Sequence, residues 1–180
     1  MTTALIFLPV AGALLVMVLP LRPFAVGATA LLVALAEVAL WIDTVARFDF
    51  NKPGLQLEQQ QSWFSDLNVS YHVGFYGFSL WLVGLASVVL AAAVGYAFWA
   101  GRERPRAYYS LMLLLTGALV GVFVAQDLLL FYVFWEAMLV PLYFLVGVWG
   151  GAGRLRATLL FVIYTMAGSL LMLAAIIALG

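Results

Sequence analysis

The chain has 180 residues, of which 67% are hydrophobic and 9% charged, with a formal net charge of zero and no Cys. A soluble domain is about half apolar and about a quarter charged, so this chain cannot cover itself with polar surface, and lipid is its main solvent. The neutral balance excludes the basic footprint of a nucleic-acid binder, and the missing thiols exclude disulfides, thiolate-held clusters and a Cys nucleophile.

Six stretches approach the roughly 20 apolar residues that a bilayer crossing needs. The first, Thr3–Leu19, lacks the basic start and the small-residue cleavage motif of a signal peptide, so it reads as a spanning helix. Leu19-Pro20-Leu21-Arg22-Pro23 ends it and opens the second, Phe24–Ala46. The segment from Arg47 to Tyr76 is too long for a bare connection. Within it, Leu55–Gln59 and Leu67–Val73 alternate apolar and polar residues, which predicts a short β-hairpin turning around Gln61–Asp66. The third stretch, Phe78–Ala100, is separated from Ala107–Ala125 by a loop carrying Arg102, Arg104 and Arg106. Gln126-Asp127 is a tight hinge into the fifth, Leu128–Trp149. A Gly-rich loop with Arg154 and Arg156 precedes the sixth, Ala157–Leu179. The predicted fold is all-α and polytopic, with about six transmembrane helices and a short outer-face hairpin.

Charge orients this arrangement. The loops after helices one, three and five hold Arg22, Arg102, Arg104, Arg106, Arg154 and Arg156, against only Arg47 and Lys52 on the other side. The positive-inside rule then places the N-terminus, the 47–76 segment and the Gln126-Asp127 hinge outward.

Ionisable groups inside the membrane are the candidates for chemistry, because each is expensive to hold there. Glu136 lies nine residues past Asp127, about 13 Å into a core about 30 Å thick. Its sequence neighbours Phe131, Phe134, Trp135, Leu139 and Val140 offer no cation. A carboxyl that holds or releases a proton at that depth suits a proton relay, and a protonated carboxyl that only pairs helices is the alternative. Pro141, five residues on, removes the helical partner of the Ala137 carbonyl and predicts a helix break beside the acid. Glu37, six residues before Asp43, is a second buried acid and a possible member of a proton path. Tyr164 and Thr165 on helix six are packing residues that could also line such a path. Asp127 reads as an N-cap, and His72 as a solvated or capping residue. One His and scattered acids supply no metal ligand set, and no GxGxxG, P-loop, HExxH or nucleophile-elbow pattern occurs.

The run Asp127-Leu-Leu-Leu-Phe-Tyr-Val-Phe-Trp-Glu136-Ala-Met-Leu-Val-Pro141 through Gly150 resembles helix five of the M subunit (chain 4) family of proton-pumping NADH–quinone oxidoreductase, respiratory complex I. Phe161-Val-Ile-Tyr164-Thr165 with Gly168-Ser169 resembles the sixth helix of that family, and Tyr71-His72-Val-Gly-Phe-Tyr-Gly its approach to helix three. The Phe-Trp-Glu-x4-Pro core is the specific part, and Mrp-type sodium/proton antiporters share a looser version.

The resemblance implies that Glu136 is the helix-five glutamate that pairs with a lysine on helix seven and takes part in proton translocation. That lysine would fall beyond Gly180, so the chain is expected to be the N-terminal portion of an antiporter-like domain, inactive alone. The resemblance also implies a bacterial inner-membrane location and other complex I membrane subunits as partners. NADH, FMN, iron–sulfur clusters and quinone would belong to other subunits of the complex, with no cofactor in this chain. The implied enzyme is NADH:quinone oxidoreductase acting as a translocase. An Mrp antiporter subunit and a non-transporting membrane scaffold are the rival readings. One departure stands out: Tyr76 occupies the place where the family typically carries an acid.

Overall fold

Each of the six apolar stretches becomes a helix in the computed structural model, which describes residues 1–20, 22–64 and 69–179. The elements run α1 (Thr2–Val18), α2 (Pro23–Arg47), β1 (Gln56–Phe64), β2 (Val69–Phe75), α3 (Gly77–Ala100), α4 (Pro105–Val124), α5 (Leu128–Trp149) and α6 (Arg154–Leu179). Pro23 and Pro105 sit in the first turns of α2 and α4, where a missing N–H costs nothing. Five of these helices are long and apolar enough to cross a membrane, which makes this a multi-pass membrane protein. The predicted first span is the shorter one, at 17 residues, because Leu19 turns extended ahead of Pro20.

The bundle is held by close approach rather than by large side chains, as expected where lipid removes the hydrophobic drive between helices. α1 and α4 run antiparallel, and the Ser110 hydroxyl donates to the Ala13 carbonyl at 3.0 Å. Farther along the same seam Gly117 faces Ile6 and Val10, and a Cβ there would come within 2.8 Å of the Ile6 carbonyl. α2 and α3 also run antiparallel, with Gly84 under the Trp41 indole and Gly95 beside Leu31. The Trp41 indole N–H donates to the Leu80 carbonyl at 2.9 Å. One buried apolar cluster, with Val16, Val26, Ala30, Val94 and Leu113, fills the end of the bundle near the arginines. A second, with Leu5, Phe75, Leu80, Val83 and Val124, fills the end near the hairpin.

β1 and β2 pair antiparallel with two irregularities in register, and the turn at 65–68 lies outside the described residues. The strands are longer than the alternation alone indicated. The hairpin closes the end opposite the arginines. The Thr2 hydroxyl donates to the Leu57 carbonyl at 2.7 Å, Thr3 bonds the Gln59 side chain, and the Tyr71 phenol donates to Thr3 at 3.1 Å. Burial pushes the Tyr71 phenol above its ordinary value, against a smaller opposing effect of the Thr3 bond. His72 Nε2 lies 2.7 Å from Glu58 Oε1 across the strands, so His72 is a cross-strand partner rather than a cap. At the other end, the Trp149 indole donates to the Glu103 carbonyl at 3.0 Å, and Arg102 lies 5.4 Å from the Tyr108 ring centroid.

Candidate proton-transfer site

Helix α5 starts from a fixed point. Asp127 is its N-cap, and one carboxylate oxygen accepts from the N–H groups of Leu129 (2.8 Å) and Leu130 (3.1 Å). The other oxygen accepts from the Ser70 N–H of β2 at 3.3 Å. Next to it, the Gln126 N–H donates to the His72 carbonyl at 2.9 Å, and Val73 bridges to Ala125. The hairpin therefore extends onto the α4–α5 hinge, which an outer loop in isolation would not suggest. Asp127→Ala removes the cap and this tether together. It is expected to cost about 1–2 kcal/mol, read as a lower thermal midpoint and faster amide exchange at Leu129 and Leu130.

From that start Glu136 falls in the middle of α5, on a partly buried face. One of its carboxyl oxygens is buried without a hydrogen-bond partner among the described residues. Tyr132, one turn earlier, lies within electrostatic reach of Glu136 and of Ser169 of α6, whose own hydroxyl donates to the Met166 carbonyl at 3.1 Å. Neither Tyr132 nor Ser169 is singled out as a site residue in the sequence. The i, i+4 spacing of Tyr132 and Glu136 was the available signal. The arrangement is a carboxyl and a phenol on one helix with a hydroxyl on the neighbouring helix within reach of the phenol, and each group can pass or hold a proton.

Against α4, the ring of Phe134 lies over Gly121, so α5 sits close to its neighbour just before the acid. Pro141 is buried inside α5, and the helix continues through it to Trp149. The break expected at Pro141 is thus one missing rung, at the Ala137 carbonyl, inside a helix with the bounds the sequence indicates.

The remaining predicted residues divide between two places. Thr165 comes level with Glu136 along the α5–α6 pair, given Tyr132 at Ser169 and Gly147 at Thr158, and its hydroxyl donates to the Phe161 carbonyl at 2.7 Å. Tyr164 is 77% exposed on the outer face of α6. Glu37 is fully buried on α2, which packs against α1, α3 and α4, so it is not brought to the α5–α6 pair. Tyr76 begins α3, where its N–H donates to the Ser79 hydroxyl at 3.0 Å. Among the described residues no group of three or more His, Asp or Glu is gathered as a metal site would require.

With this geometry in place, the comparisons with known proteins are informative. The family described as NADH:quinone oxidoreductase/Mrp antiporter, TM, matches residues 125–179, which is the hinge, α5 and α6. NAD(P)H-quinone oxidoreductase chain 4 2 of Microcystis aeruginosa is 39% identical over 99% of this chain and 32% of its own length. F(420)H(2) dehydrogenase subunit M of Methanosarcina mazei is 39% identical over 81% of this chain and 30% of its own. The solved structure of respiratory complex I from Thermus thermophilus with bound NADH contains a chain that superposes with a TM-score of 0.83 at 32% identity, covering 97% of this chain and 35% of that one. The chain thus spans about a third of the length of the relatives it matches. The hinge, α5 and α6 thus match the model of NADH:quinone oxidoreductase and Mrp antiporter membrane subunits, and over nearly its whole length the chain is similar to chain 4 of NAD(P)H-quinone oxidoreductase.

Proposed function

We propose that the chain is part of a membrane subunit of a proton-pumping NADH–quinone oxidoreductase and moves protons in step with quinone reduction. The observation that carries this reading is Glu136 on α5, with one buried oxygen unpartnered and the Tyr132 phenol within reach of both it and the Ser169 hydroxyl of α6. Glu136 is the proton-transfer group. Thr165 and Tyr164 are candidate hydroxyls along its helix pair, and Glu37 is a second acid in a different part of the bundle. Redox chemistry, with NADH, FMN, iron–sulfur clusters and quinone, belongs to partner subunits of the complex. The hairpin and the N-terminus face outward and the arginine loops face inward, in keeping with six basic residues against two.

The Mrp half of the family description favours a second reading, a sodium/proton antiporter subunit. Deleting the encoding gene separates the two. Loss of NADH-driven proton uptake and quinone reduction in membrane vesicles is expected. Retention of both, with loss of growth under sodium stress, would replace this reading with the antiporter.

A further inference from the structure

Glu37 is the most deeply buried acid among the described residues, at 0% exposure, and neither of its carboxyl oxygens has a hydrogen-bond partner among them. An ionised carboxylate in such a place costs several kcal/mol unless a cation or several donors meet it. The elements packed against α2 bring no cation near. α1 has no titratable side chain, α3 has only Tyr96, and α4 has Arg106, Tyr108 and Tyr109, all of which lie toward the arginine end. On α2 itself, Asp43 and Arg47 pair with each other at 3.1 Å near the hairpin end. The carboxyl therefore holds a proton.

A second buried orphan lies on the neighbouring helix α3. The Ser87 hydroxyl on α3 is 2% exposed and also lacks a partner. Trp41 packs on Gly84 and Leu31 on Gly95, and this antiparallel register sets Glu37 level with Val88 and Val89, within one turn of Ser87. Ser87 shares the buried stripe of α3 with Gly84 and Ala91, as Glu37 shares that of α2 with Ala34. One turn beyond the Trp41–Gly84 contact, the two polar groups fall within a turn of each other on the packed stripes of α2 and α3. α1 adds a third group. Gly12 lies against Val33, which brings the buried Pro9 to the same level, and Pro9 leaves the Leu5 carbonyl without its helical donor. One carboxyl, one hydroxyl and one freed carbonyl are too few to replace the shell of a metal cation, but they suffice for a proton and one bridging water.

The surroundings also give a direction. Ten residues separate Glu37 from the hairpin end of α2 and fourteen from its arginine end. Toward the arginines its stripe continues as Ala34, Ala30 and Val26, without a polar side chain. Toward the hairpin it reaches Thr44, 1% exposed, at the level of Thr2, which is itself bonded to the hairpin.

We propose that Glu37 and Ser87 form a second proton-binding site, inside the α1–α4 bundle and apart from Glu136, that exchanges protons with the hairpin face. This goes beyond the role given to Glu136 and does not depend on it. The test is infrared difference spectroscopy on the full-length protein in oriented vesicles, comparing wild type with Glu37→Gln. The expected result is a protonated-carboxyl band present in wild type and lost in Glu37→Gln, but kept in Glu136→Gln. That band should fade when the pH on the hairpin face is raised, and ignore the pH on the arginine face. Absence of the band, or a response only from the arginine face, would overturn the proposal. Should Glu37→Gln fail to assemble, Ser87→Ala serves instead. It is expected to shift the Glu37 band, and an unmoved band would remove Ser87 from the site.

Discussion

Replacing Glu136 by Gln in the full-length protein is expected to stop proton movement while leaving assembly intact. Gln has nearly the same shape and keeps a carbonyl for Tyr132, so the contact to α6 survives. What it loses is the ability to take up and give back a proton. A positioned proton-transfer group contributes about 10²–10⁴-fold to rate, so vesicle proton uptake should fall by about a hundredfold or more. Where pumping and quinone reduction are tightly coupled, NADH-driven quinone reduction should fall with it. Glu136→Asp separates chemistry from geometry: it keeps a carboxyl but shortens its reach to Tyr132 by one methylene, so intermediate rates are expected. Wild-type uptake in a normally assembled Glu136→Gln variant would show that the carboxyl only pairs helices.

The second large effect should come from Gly121→Val, which changes no polar group. A Cβ at Gly121 would overlap the ring of Phe134, and the extra methyls of Val deepen the clash. Overpacking of this kind costs about 1–3 kcal/mol and shifts backbone. The shift falls on α5 between its cap at Asp127 and the acid at Glu136, so the loss should appear both in thermal stability and in proton uptake. Phe134→Ala opens space on the opposite helix. The double variant Gly121→Val/Phe134→Ala should recover part of what the first loses, which a double-mutant cycle measures as a favourable coupling. Simple additivity would mean that α4 and α5 do not meet at this contact.

Much of this protein was legible from the order of its residues. Runs of apolar residues broken by Leu19-Pro20, Gly101-Arg102 and Gly150-Gly151 mark the six helices, because a buried backbone in lipid can satisfy itself only as helix. The helix α5, Leu128–Trp149, has the same ends in sequence and structure, since Asp127 supplies a local cap and Gly150 a local stop. The alternation after Leu55 indicated the strands, and Glu136 declared itself by its cost. These are short-range signals, readable within a few residues.

What lay beyond them depends on which faces meet. Tyr132 stands one turn before Glu136 by the geometry of α5 alone, but Ser169 joins them only through the packing of α6 on α5. The hairpin's hold on Gln126 and Asp127 joins residues more than fifty positions apart. Glu37 and Glu136 look alike in sequence, yet one lies inside the α1–α4 bundle and the other on the α5–α6 pair. The helices, their order along the chain and the two costly acids all follow from local hydropathy and charge. What each acid faces does not, because helix rotation and register are set by contacts such as Trp41 on Gly84 and Phe134 on Gly121, between residues far apart in the chain.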